Sequence, residues 1–128
     1  MTFASLLLLL GTGLTGALGA LARYLLGRFV AERIGSSFPV GTLLINVTGA
    51  FVIGVLFALS ARKLLSPALY VILATGFLGG YTTFSTMSWE SVQLIRGGST
   101  RGSILYLGSN VVIGFAGAAV GLLIGRVL

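Results

Sequence analysis

The stretch Gly76-Phe-Leu-Gly-Gly-Tyr-Thr-Thr-Phe-Ser-Thr-Met-Ser88 lies inside a run, Pro67 to Ile95, that is long and largely apolar. Paired glycines followed by a hydroxyl-rich segment are poor helix formers, so the sequence predicts a helix that breaks near Gly79–Thr83. Irregular backbone at membrane depth is tolerated only where protein buries it or where it lines a polar cavity. Carbonyls freed at such a break can coordinate a hard cation such as Na⁺, and the new helix N-terminus favours an anion. A flexible packing kink would use the same residues, and the stretch alone leaves both readings open.

Working outward, the surrounding chain is apolar enough for lipid to be its solvent. Hydrophobic residues make up 56% of the 128, charged residues only 8%, and the mean hydropathy is +1.10. Soluble domains carry about a quarter charged residues. A membrane-spanning helix needs about 20 apolar residues. Four candidates satisfy that, at about 3–27, 39–61, 67–95 and 103–125, as one all-α domain with both termini on one side. The basic residues Arg23, Arg28 and Arg33 close the first, Arg62-Lys63 the second, and Arg126 the fourth. Ser66-Pro67 supplies a capping side chain and a first-turn proline for the third. The first run lacks a basic leader and an Ala-x-Ala-like cleavage site, and is read as a retained span.

Glycine is abundant, at 20 residues, and recurs at fourth positions. Gly11, Thr15 and Gly19, then Ala50, Gly54 and Ala58, then Gly117, Gly121 and Gly125 each make a smooth helix face. Such faces admit close backbone approach. Packing within the bundle and an interface between chains are both open for them.

The titratable inventory excludes most chemistry. There is no Cys and no His, and of the acids only Glu32 and Glu90 occur. Transition-metal, nucleophilic and acid–base sites therefore lack their parts, and an enzyme is not expected. The net charge of +6 comes from basic residues scattered between apolar runs, which reads as membrane flanks and not as a nucleic-acid surface.

Polar groups inside the spans are fewer and more telling. Asn46 lies about 10 Å into the second span, with Thr42 one turn before it; Tyr106 and Asn110 sit one turn apart on the fourth. Phe84 and Met87, three apart, share a face if that stretch is helical. A single intramembrane Asn is often helix glue. Two Asn, a Tyr and the run Thr82 to Thr86, with Ser85 and Thr86 in it, point to a polar path. Arg23 is the one full positive charge near it. Glu90 is expected to reach the interface or to pair with a base. Amides, hydroxyls and the electropositive edges of aromatic rings suit a small anion, whereas a proton-driven exporter would carry a deep carboxylate.

These residues resemble the Fluc (CrcB) family of fluoride channels. The resemblance is carried by Gly41-Thr-Leu-Leu-Ile-Asn46-Val-Thr-Gly49, by Gly76 to Ser88 followed by Glu90, and by Gly19 with Ala22-Arg23-Tyr24, over all four spans. It implies a passive, fluoride-selective channel in the cell inner (plasma) membrane, built from two chains as an antiparallel, dual-topology homodimer. It also implies that Asn46, Phe84, Ser85, Thr86, Met87, Tyr106 and Asn110 line the fluoride pathway and that Arg23 stands near its entrance. The carbonyls of Gly79 and Thr82 would help hold a structural Na⁺ at the dimer centre. Partners would be a second copy, membrane lipid and fluoride, with no nucleic acid.

One residue departs from the pattern. Met87 stands where the family usually has a second Phe, and it lacks the positive ring edge. A natural variant, an engineered change and one half of a heterodimeric fluoride channel are all compatible with it. The alternative class is a small dual-topology multidrug exporter, which needs a Glu in the first span; residues 3 to 27 hold none. A membrane scaffold would explain the glycine faces but not the hydroxyl-rich break.

Overall fold

The computed structural model describes all residues, Met1–Leu128. Helix α1 runs Phe3–Arg33, α2 Val40–Ala61, α3 Pro67–Tyr70, α4 Gly79–Tyr81, α5 Ser85–Arg96 and α6 Thr100–Val127, with π-helix over Val71–Leu78 between α3 and α4. From α3 to α5 the chain forms one span, Pro67–Arg96, and the four spans are those expected from the sequence. Only 17 of 128 residues are buried, while Leu, Ile, Val and Phe cover the outside, as lipid-facing helices require.

The helix ends follow local chemistry. Thr2 Oγ1 accepts from the Ser5 amide at 3.0 Å, Ser66 Oγ from Leu69 at 3.2 Å, and Ser99 Oγ from Gly102 at 3.1 Å. Each hydroxyl satisfies one amide that the first turn leaves orphaned. Gly98 has φ +88°, in the left-handed region, so the turn before α6 needs its glycine. That turn is only Gly97–Ser99, and α6 starts at Thr100, three residues earlier than the span boundary at 103. Helix α1 outruns its expected span by six residues, from 27 to Arg33. Its extension buries Val30 and is otherwise exposed, with Arg28 Nε and Glu32 Oε1 paired at 2.9 Å one turn apart. At α6's far end, Arg62 Nη1 donates to the Gly125 and Leu128 carbonyls, which the helix terminus leaves free.

Two close packings make the bundle, and glycine permits both. Helix α1 lies along the π-helical segment and α4, while α2 lies along α6 and α5 closes on α6. A Cβ on Gly19 would meet the Phe77 carbonyl, and one on Gly80 the Gly16 carbonyl. On the other side, Gly54 faces the Ala118 carbonyl, Gly121 that of Phe51, and Gly125 the Ala58 side chain. The small-residue faces are therefore spent on packing inside one chain. Ile45, Ala58, Ala74, Leu78 and Tyr106 form the apolar core between these pairs.

The third span breaks where the sequence predicts, with the regular helix ending one residue later than the glycine pair alone suggests. Gly79–Tyr81 are still helical, and Thr82 turns extended at φ −80°, ψ 159°. The chain re-enters helix at Ser85.

Candidate functional site

The break is held open by one side chain from α2. Asn46 Oδ1 accepts from the Thr83 amide at 3.0 Å, and Asn46 Nδ2 donates to the Thr83 carbonyl at 3.0 Å. A primary amide thus pairs with both backbone groups of one residue, replacing the helical bonds that residue has lost. The second Nδ2 proton goes to Asn110 Oδ1 at 3.1 Å, and Asn110 Nδ2 donates to the Tyr106 carbonyl at 2.9 Å. Thr83 then starts the next helix: its Oγ1 accepts from the Thr86 amide at 3.1 Å, one residue before the geometric cap.

Because the Thr83 amide is committed to Asn46, the helix behind it loses acceptors' partners. The carbonyls of Gly79, Gly80, Tyr81 and Thr82 accept no backbone or side-chain hydrogen bond within the chain. Freed carbonyls at mid-span are costly unless something answers them. Four such oxygens in a row are the donor chemistry a hard cation takes.

On either side of Thr83 the surface is hollow. A vestibule of about 660 Å³ is lined by Arg23, Thr42, Ser85, Thr86 and Glu90, among others. A groove of about 420 Å³ is lined by Asn46, Gly79, Thr82, Phe84 and Met87. Thr83 borders both. Phe84 is 77% exposed in the single chain, an apolar ring presented to the groove instead of to the core. Phe84 and Met87 do share that wall, as their spacing predicts. Arg23 has no acidic partner, the Arg28–Glu32 pair being the one salt bridge in the chain.

Glu90 differs from expectation. It neither reaches the interface free nor pairs with a base. Thr42 Oγ1 donates to its Oε1 at 2.6 Å and Tyr106 Oη to its Oε2 at 3.4 Å. Two hydroxyls from α2 and α6 thus turn the carboxylate inward. The face Thr83, Thr86, Met87, Glu90, at helical three- and four-residue spacing, was the signal available for this. Tyr106 is fully buried, edge-on to Phe38 with ring centroids 5.5 Å apart at 88°. Tyr106 and Asn110 line neither hollow; they stand behind Glu90 and Asn46 and hold them. Ser91 and Ser103 hydroxyls tie α5 to α6 below this layer.

Four spans, one of them broken, and two hollows meeting at the break, a polar vestibule and a largely apolar groove, define a multi-pass membrane protein of the transport class. The family model described as "CrcB-like protein, Camphor Resistance (CrcB)" matches residues 10–122, and the chain belongs to that family. Three similar proteins carry the name "Fluoride-specific ion channel FluC". The Acidobacterium capsulatum protein is 45% identical over 91% of this chain and 94% of its own. That of Rhizobium meliloti is 42% identical over 95% and 97%, and that of Aquifex aeolicus 50% identical over 77% and 82%.

Proposed function

We infer that the chain is a fluoride-selective channel that passes fluoride down its gradient across the plasma membrane and catalyses no reaction. The observation that carries this is the groove at the break, where an exposed Phe84 ring stands beside Asn46 and Met87. A ring edge is electropositive enough to face fluoride without holding it irreversibly. Fluoride enters by the vestibule, drawn by Arg23 and handed on by the Ser85 and Thr86 hydroxyls. It leaves past Phe84 and Met87. Asn110 and Tyr106 keep Asn46 and Glu90 in place along that route. The names of the relatives support the same ion.

Two chains, inserted in opposite orientations, make the working unit. Gly79 is exposed in the single chain and borders the groove together with Thr82, so a second copy at the break would cover otherwise unanswered carbonyls. One Na⁺ fits there: the carbonyl oxygens of Gly79 and Thr82 are hard donors without hydrogen-bond partners. When bound, the ion supplies fixed positive charge that offsets the repulsion of nearby anions. Met87 in the groove favours a second reading, in which this chain conducts best with a partner chain bearing Phe there.

The test is release from liposomes holding this chain alone, with fluoride compared against chloride. Fast fluoride release and slow chloride release are expected. Equal release of both rejects selectivity, and no release from the chain alone favours the heterodimer.

A further inference from the structure

The segment between Ile72 and Thr83 is bracketed by two polar bonds from other helices. Asn46 holds its downstream end. At its upstream end, Thr15 Oγ1 on α1 lies 2.8 Å from the Ile72 carbonyl. The winding between them is π, not α: the Gly79 amide reaches back five residues to the Ala74 carbonyl. A π turn takes up one residue more than an α turn, and such turns concentrate at functional sites. One residue of register is about 100° of rotation around a helix. Rewinding Val71–Leu78 as α would therefore turn Gly79, Thr82 and Phe84 away from where they now point.

Of the residues Val71–Leu78, Thr75 and Gly76 are the weak helix formers, which loosens an α turn there but does not by itself select the wide one. The cause is the neighbour. Gly76 sits against Thr12 and Thr15, and Gly16 and Gly19 lie against the carbonyls of Gly76 and Phe77. At this close approach Thr15 is the one α1 side chain that bonds the third span's backbone. Its single proton has three carbonyls in reach: Ile72 at 2.8 Å, Gly11 at 3.0 Å and Thr12 at 3.1 Å. The shortest of the three is the one across the interface.

We propose that Thr15 is a positioning residue for the pathway: by donating to the Ile72 carbonyl it fixes the π register that aims the Gly79 and Thr82 carbonyls and the Phe84 ring. This rests on the fluoride-channel reading for its conduction readout, but its structural readout does not. Thr15→Val keeps the shape and removes the proton; Thr15→Ser keeps the proton. In folded, isotope-labelled protein the Ile72 carbonyl resonance should move in Thr15→Val towards the position of a more weakly bonded carbonyl, and the Gly79 amide should exchange faster. Fluoride release per folded protein should drop about five- to tenfold, the cost of one hydrogen bond in a two-state register. Thr15→Ser should restore both. Where Thr15→Val does not fold, Thr15→Ala repeats the measurement. An unmoved Ile72 resonance means that the hydroxyl bonds only within α1, and overturns the proposal. A moved resonance with unchanged release overturns it too, since the register would then not aim the path. If the parent itself releases no fluoride, the channel reading fails, while the resonance still decides the role of Thr15.

Discussion

At the scale of single residues, the groove and its clamp make different demands. Phe84 is exposed and touches little, so its ring serves the groove and not the fold. Phe84→Ile keeps the bulk and removes the quadrupole; fluoride release should fall steeply while the amount of folded protein holds. Met87→Phe restores a ring edge on the same wall and should leave release equal or higher. Efflux normalised to folded protein measures both, and parent-like release from Phe84→Ile would end the ring-edge mechanism. Asn46 makes the opposite demand. Both its donor protons and its acceptor are used, on Thr83 and Asn110. Asn46→Asp keeps the size but cannot donate, leaving the Thr83 carbonyl and Asn110 Oδ1 unanswered and facing a new charge. Each lost partner costs about 1–3 kcal/mol, so the variant should unfold at markedly lower temperature in detergent. An unchanged melting temperature would show that water replaces the clamp.

At the scale of helices, glycine placement separates residues that look alike in sequence. Gly54 and Gly121 have a carbonyl where a Cβ would go, whereas Gly13, Gly108 and Gly114 face open space. Gly54→Ala should cost about 1–3 kcal/mol through overpacking of α2 on α6, and Gly108→Ala should be neutral or slightly stabilising. Thermal unfolding of the two variants checks this, and equal effects would mean that the helices part without strain. The same contrast explains what the sequence could reveal. Hydropathy located all four spans because length and apolarity are properties of each segment alone. The glycine pair and the threonines located the break for the same reason. Fourth-position glycines showed that faces exist but not what covers them; the covering atoms belong to helices far along the chain. The π winding of Val71–Leu78 was invisible because Thr75 and Gly76 do not tell a wide turn from an α turn, and the residues packed against it lie on α1. Glu90 was misjudged for a related reason, as Thr42 lies 48 residues before it. What the helix partners decide, a single segment does not display.

At the scale of the whole molecule, the chain must take an orientation in the membrane. Orientation in the membrane follows the count of Lys and Arg in short loops and at span ends. Arg62, Lys63 and Arg126 lie on the side of the termini, and Arg28, Arg33, Arg96 and Arg101 on the other. Arg23 is left out of both sets, because it lies more than a turn deeper in α1 than Arg28, inside the apolar span. Three against four is near balance, so the chain is expected to insert both ways, as an antiparallel pair requires. Adding charge should break that balance. Leu64 and Leu128 are exposed at the terminal side, and Leu64→Lys with Leu128→Lys should commit the chain to one orientation. Ile34 and Ser37, exposed on the opposite side, offer the reverse bias through Ile34→Lys with Ser37→Lys. Each double variant alone should give cells little fluoride export, because parallel copies cannot bring two breaks together about an in-plane axis. Expressed together they should restore export to near the parent level. Cysteine labelling of the termini from each side of the membrane verifies the orientations independently of transport. Full export from either biased variant alone, with its termini all on one side, would reject the antiparallel pair and with it the Na⁺ placed between two breaks.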